Sequence, residues 1–323
     1  MDAYYPVISV VAPTDAMEAR GSRQKFWVSF EGDENDWLLK FPRPDNGEHW
    51  AEKVAAEIGH LIGVNCAKVE LARCMWQTRE EQSQGDGDLN QLGTICRSFT
   101  DLQHELDPED DLQCDFFHGC DILNIIIDSY NPSLRFKQTD HNVKNIVSAI
   151  TTITDVESLN PMPRWDYMLE ELASYALLDG LIGNTDRHHE NWMLARIYGP
   201  GYDQWEAAPS YDHASSLGRE LTDERRRYIL DSGRVLNYLQ RGRGGVFVRS
   251  KLKYTSPLRL AKLLCRWKPD FTQRTLHKIR NVSDDDIRTV MDKVPPEFMS
   301  DTSKDFATEV VLTSKTELLR SIR

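Results

Sequence analysis

A chain of 323 residues, 40% hydrophobic and 28% charged, is long enough for two lobes or two domains around a substantial core. Its net charge of −12 argues against bulk attraction to nucleic acid or an anionic membrane, and no apolar run approaches the ~18 residues of a membrane span. Six cysteines without CxxC spacing, and an N-terminus with no basic residue ahead of its apolar ones, read as reduced thiols in a cytoplasmic protein without a signal peptide.

From about Pro6 to Phe99 the pattern is one of short β-like runs: "VISVVA", "KFWVSF", "WLLKF", "AKVELA" and "LGTICRSF". One helix interrupts them in "EHWAEKVAAEIGHLIG", where Val54, Ala55, Ile58, Leu61 and Ile62 recur at helical spacing and Gly63 occupies a C-cap position. The polar segment 78–91 reads as a hairpin insertion, and the acid-rich 105–115 as a solvated linker or helix start. Beyond it the chain reads as mostly helical. "RWDYMLEELASYALLDGLIG" is the clearest case, followed by "SPLRLAKLLCRW", "TQRTLHKIR", "DDDIRTVMDKV" and a final helix from about Ser303. The expectation is an α+β, two-lobed molecule: a small β-rich N-lobe at 1–99 and a larger, mostly helical C-lobe at 100–323.

The densest chemistry lies in "GLIGNTDRHHENWMLA", Gly180 to Ala195. Alone, such a stretch is equally an ordinary helix-to-strand connection with polar residues outside. Zinc is disfavoured, because adjacent His188 and His189 cannot both face one ion from a regular element and no HExxH is present. Phosphoryl transfer makes demands elsewhere: a carboxylate for the attacking hydroxyl, oxygen ligands for Mg²⁺, a cation for phosphate and a loop to cover it. Asp186 and Asn191 stand five apart, the Asp-to-Asn separation of the kinase loop HRDxxxxN, although the order here is DRHxxN. "WMLARI", "YGPG" and "WEAAPSYDHASS" read as a hairpin that returns to a second carboxylate, Asp212. Upstream, Lys40 sits in the apolar strand "DWLLKF", and Glu52 follows twelve residues later in a helix. Separately, an edge-strand lysine and an acid near a helix N-terminus explain these two as well. Residues 18–30 are a strand–turn–strand with one glycine, a weak phosphate-loop signal. The order along the chain (loop, Lys40, Glu52, Asp186, Asn191, Asp212) favours phosphoryl transfer.

With those residues in hand, the chain resembles the HipA-like serine/threonine kinases of bacterial toxin–antitoxin systems, above all the short HipT/CtkA-like members. "LLDGLIGNTDRHHENWML" is similar to the family's NxDRHxxN segment, "PSYDHASSL" to its metal-binding aspartate segment, and "WLLKFPRP" to its lysine strand. The first two motifs are specific, the lysine strand and glycine loop less so; the resemblance runs from about residue 8 to the C-terminus, with 103–160 poorly matched. The resemblance implies a protein-kinase-like fold and an ATP- and Mg²⁺-dependent kinase acting on a cellular protein, such as an aminoacyl-tRNA synthetase. It implies that Lys40 meets the nucleotide phosphates, Glu52 pairs with it, Asp186 is catalytic, and Asn191 and Asp212 hold Mg²⁺. Arg187 and His188 look like loop scaffold; His189 and Glu190 match no family position. Thr94–Asp101 would be the hinge, its backbone at Ile95, Cys96, Arg97, Ser98 and Phe99 meeting the adenine. Gly21 and Ser22 would belong to the phosphate loop, and Ser22 sits where some members phosphorylate themselves. The chain begins almost at the kinase-like lobe, so a small antitoxin or a protein replacing the N-terminal subdomain of longer members is an expected partner. Neither a membrane nor direct nucleic-acid binding is expected. Three other readings stay open: a phosphatidylinositol-kinase-like lipid kinase, a catalytically silent pseudokinase or scaffold, and a nucleotidyl transferase. The basic loop Arg241–Lys253, with five cations and no acid, would suit a lipid headgroup, an acidic protein or tRNA, or simply solvent.

Overall fold

The computed structural model describes residues 4–13, 24–77, 90–100, 111–157, 165–249 and 253–321. Gly21, Ser22, the hairpin insertion over 78–89 and the acid-rich 105–110 lie outside the described residues.

The first lobe is a five-stranded sheet of β1 (Val7–Pro13), β2 (Lys25–Val28), β3 (Trp37–Lys40), β4 (Val69–Gln77) and β5 (Asn90–Arg97). The strand order is β1-β4-β5-β3-β2, with β1 and β4 parallel and the other pairs antiparallel. In β3, Trp37 and Leu39 enter a small core with Val10, Phe26 and Ile95. Lys40, the last residue of the strand, lies opposite Thr94 on one side and Lys25 on the other. Helix α1 (Glu48–Leu61) connects β3 to β4. It is buried nearly all round because Val54, Ala55 and Ile58 belong to a core shared with Val69 and Leu71 of the sheet and with the helices of the second lobe. Gly63 takes a left-handed φ of 67° just past the helix, the conformation that ends it as expected.

The second lobe is built on α4 (Trp165–Ile182), against which α7 (Pro257–Trp267), α8 (Pro269–Asn281) and α10 (Asp301–Arg320) pack. The shorter α5 (Asp223–Asp231), α6 (Val235–Arg241) and α9 (Asp284–Asp292) complete it. Ser256, Ser300 and Thr222 cap α7, α10 and α5, accepting from the N–H of Arg259, Ser303 and Arg225. A glycine at 180 lets α4 and α7 approach closely, since a Cβ there would lie 2.6 Å from the Cβ of Ala261.

Within the mostly helical second lobe, the linker or helix start expected over 105–115 is corrected, because its end belongs to a strand. Gln113–His118 forms strand β6, antiparallel to β7 (Met193–Gly199), which turns back as β8 (Tyr202–Ala207). β6 runs into α2 (Gly119–Ile126), and α3 (Val143–Glu157) follows. These elements have a core of their own, with Ile122, Leu123, Ile150, Met168, Trp192 and Leu194 buried together. Its effect is to seat the β7–β8 hairpin rigidly, and that hairpin joins the Asp186 loop to Asp212.

Candidate active site

The end of β3, the middle of α1 and the residues after β8 meet around one ammonium. Lys40 Nζ lies 3.4 Å from Asp212 Oδ1 and 3.9 Å from Glu52 Oε1. Glu52 is 1% exposed, and its two oxygens accept from the backbone N–H of His213 and Ala214, each at 3.0 Å. A buried carboxylate so satisfied is an anchor as well as a counter-ion. It fixes the segment after Asp212 to α1. Asp212 itself has a φ of 57°, in the left-handed region that is strained for most side chains. His213 is fully buried, its Nε2 2.8 Å from Ser210 Oγ, and burial holds its imidazole neutral, well below the usual histidine range.

The loop after α4 is organised by Arg187. Its guanidinium forms two parallel bonds to Asp179 on α4, Nε to Oδ2 at 2.8 Å and Nη2 to Oδ1 at 2.9 Å. It also donates to the carbonyls of Asn191 at 2.6 Å and Tyr211 at 3.2 Å and to Ser210 Oγ at 2.9 Å. Burial works against its charge, but the Asp179 carboxylate outweighs burial and holds the group protonated. Asn184 Nδ2 donates to Asp179 Oδ1 at 2.8 Å, and its Oδ1 accepts the Asp186 N–H at 3.1 Å. One buried ion pair thus ties together the end of α4, the 184–191 loop and the approach to Asp212. His188 is largely buried and accepts the Glu190 N–H at 3.2 Å; burial lowers its pKa.

Lys40, Asp186, Asn191 and Asp212 line a single cleft of about 920 Å³. Glu52 lies behind it, buried. Among the described residues, the cleft walls carry seven cationic side chains (Lys25, Lys40, Arg43, Arg135, Lys137, Arg219 and Arg243) against four carboxylates (Glu48, Asp186, Glu190 and Asp212). In a molecule of net charge −12, that local reversal of sign favours a polyanionic ligand. A divalent cation fits the donor set. Asn191 Nδ2 is committed to the Asp186 carbonyl at 2.7 Å, which leaves its oxygen as the free end of the amide, and Asp212 adds carboxylate oxygen on the same cleft.

The hinge residues are arranged differently. Ile95 and Cys96 are buried in the sheet, and burial pushes the Cys96 thiol up to about 12. The N–H groups of Arg97 and Ser98 are bonded to the carbonyls of Lys68 at 2.9 Å and Asp36 at 2.7 Å. Phe99 is half-buried, its ring 5.3 Å from that of Tyr211. None of residues 95–99 lines the 920 Å³ cleft. Sequence reasoning missed Asp179, Asn184, Glu48 and Arg219. Glu48 is 2% exposed and pairs with both Arg43 and Arg219 at the cleft edge. A visible signal existed for two of them: Asp179 is a single carboxylate in the apolar run "ALLDGLIG", and Asn184 opens the NxDRHxxN segment.

No family model and no curated protein sequence matches the chain. Solved structures do. The proinflammatory kinase CtkA of Helicobacter pylori superposes with a TM-score of 0.68 at 17% identity, over 98% of this chain and 99% of its own. HipA of Shewanella oneidensis MR-1, solved with HipB and operator DNA, superposes with a TM-score of 0.51 at 14% identity, over 96% of this chain and 65% of its own. The fold is therefore that of the HipA-like kinases, an α+β kinase fold with a β-rich and a helical lobe. Among the described residues no helix is long and apolar enough to cross a membrane.

Proposed function

We propose that this chain, sharing the fold of CtkA and HipA, transfers the γ-phosphoryl group of ATP to a serine or threonine hydroxyl of a protein. What supports the reading is the convergence of Lys40, Asp186, Asn191 and Asp212, from remote parts of the chain, on one cleft with an excess of cations. Asp186 orients the acceptor hydroxyl and takes its proton as the new O–P bond forms and the bond from phosphorus to the ADP oxygen breaks. Lys40 gives its ammonium to the phosphates, held in reach by Glu52 and Asp212. Asn191 and Asp212 are the residues that would hold Mg²⁺, which when bound neutralises phosphate charge. Catalysis on this frame is positioning plus charge neutralisation, and the buried Arg187 network supplies the rigidity both require. An adenine contact along hinge residues 95–99 remains part of the proposal, although Ile95 and Cys96 are inside the sheet and none of the five lines the cleft. Gly21 and Ser22, with self-phosphorylation at Ser22, remain part of the proposal, as does a small antitoxin-like partner.

The test is incubation of the purified protein with labelled ATP, Mg²⁺ and a host lysate, beside Asp186→Asn and Asp212→Asn. Labelling of protein hydroxyls is expected to fall by roughly 10²- to 10⁴-fold in Asp186→Asn. Equal labelling in all three proteins favours a scaffold, and AMP in place of phosphate on the product favours nucleotidyl transfer.

A further inference from the structure

A second cavity of about 660 Å³ opens beside the cleft and shares Thr185, Ser215 and Arg219 with it. Thr185 immediately precedes Asp186, so whatever occupies this groove continues to the position where the acceptor hydroxyl must lie. Its far wall is formed by α5, α6 and the turn between them. There the Arg225 guanidinium lies 4.9 Å from the Tyr228 ring centroid and that of Arg234 lies 5.8 Å from it. Arg234 Nη1 also donates to Tyr228 Oη at 3.1 Å. Two guanidiniums thus share one phenol, and Arg241 lines the same groove. None of these three arginines forms an ion pair with a carboxylate among the described residues. The acid of this wall, Glu220, accepts instead from Tyr238 Oη at 2.9 Å.

Among the described residues, four arginines (Arg219, Arg225, Arg234 and Arg241) against the one lining carboxylate, Glu220, leave a net repulsion among the cations that an anion seated between them relieves. Planar guanidiniums held in place by an aromatic ring are pre-organised for the paired bonds that a phosphate or carboxylate accepts. We infer that this groove docks an anionic side chain of the protein substrate, a phosphate or clustered carboxylates, a few residues from the hydroxyl to be phosphorylated. The inference rests on the phosphoryl-transfer reading of the neighbouring cleft. A nucleic-acid strand is the poorer fit. Tyr228 is 48% exposed but its ring is already occupied by guanidiniums, so it offers no platform for a base, and the chain as a whole is acidic.

The experiment reads binding apart from transfer. Asp186→Asn protein is titrated into fluorescein-labelled peptide pools with a central serine. Within roughly five residues (~17 Å of extended chain) the pools carry either glutamates, one phosphoserine, or glutamines. The glutamate or phosphoserine pool is expected to bind at least about tenfold tighter than the glutamine pool, with the difference shrinking at high salt. Adding Arg225→Gln and Arg234→Gln should bring the pools within about twofold of each other, with an unchanged melting curve because both side chains are exposed. A gain confined to phosphoserine identifies a primed substrate; a gain with both identifies an acidic one. Equal binding of all pools, discrimination that survives both substitutions, or a single-stranded RNA that displaces the acidic pool at lower concentration overturns the inference. Transfer by the wild-type protein is scored separately. Peptide discrimination without any transfer sinks the kinase reading, whereas transfer without discrimination sinks the docking groove alone.

Discussion

The two oxygens of Glu52 each accept one backbone N–H, from His213 and Ala214, while the Lys40 ammonium stands 3.9 Å from Oε1. A glutamine of the same shape would turn one NH₂ toward a backbone donor, leaving that donor unsatisfied and the ammonium short of a counter-charge. Glu52→Gln is therefore expected to cost about 1–3 kcal/mol of stability as well as activity, where an exposed Glu→Gln change would be silent. Urea denaturation of the two proteins measures it, and an unchanged midpoint would remove the anchoring role. The pairing with Lys40 was expected from the sequence; the anchoring was not, because it depends on backbone N–H groups that the chain brings back over 161 positions. That Lys40, Asp186, Asn191 and Asp212 would share one cleft was legible from their motifs taken together in order along the chain, each being ordinary alone. Glu48 and Arg219 acquire their roles from each other across 171 positions, whereas Asp179 is held locally by Asn184 and Arg187, five and eight residues on.

Among the elements, α3 and β6 went unrecognised for separate physical reasons. "VKNIVSAITTITDVE" is rich in β-branched residues, which disfavour a helix locally. The burial of Ala149, Ile150 and Ile153 in the second core overrides that preference. In β6 the alternation of exposed and covered residues runs only from Gln113 to Phe116 and breaks at Phe117, too short a stretch to mark a strand. The helix before the 184–191 loop was plain from its periodicity, but its contact with α7 was not. Gly180→Ala improves intrinsic helix propensity by up to about 1 kcal/mol, yet it puts a methyl 2.6 Å from the Cβ of Ala261 and 3.3 Å from the carbonyl of Pro257. Overpacking against such unyielding atoms costs about 1–3 kcal/mol, so the net effect is expected to be destabilising. Combined with Ala261→Gly, the two changes should couple favourably in a double-mutant cycle. Additivity of the pair would mean that the helices part freely.

For the molecule as a whole, the lobes are not independent bodies, because α1 contributes to the same core as α4 and α10. Events that loosen the second lobe therefore reach Lys40. Around the 184–191 loop, His141 and His189 are each 1% exposed, and burial lowers their pKa values to about 3 and about 4. Above the unfolded value of about 6.5 both states are neutral and these groups add no pH dependence. As pH falls below it, the unfolded chain takes up protons that the folded protein refuses, so stability drops until the folded pKa values are reached. Each histidine contributes a slope approaching 1.4 kcal/mol per pH unit, or about 3 kcal/mol per unit for the two. Denaturant titrations between neutral pH and about pH 5 should show this loss, and His141→Gln should flatten it. A level stability over that range would mean that these rings are solvated.

The turn at Asp212, with its φ of 57°, is one that glycine adopts without strain. Asp212→Gly keeps the bend and deletes the carboxylate. It should be inert in phosphoryl transfer yet melt within about 1 kcal/mol of the parent, whereas Asp212→Val, unable to make the bend, should lose both properties. A laboratory selection that rewarded heat resistance alone would find little at this position to protect the reaction. Durability and turnover are governed there by different halves of one residue, the first by its main chain and the second by its side chain.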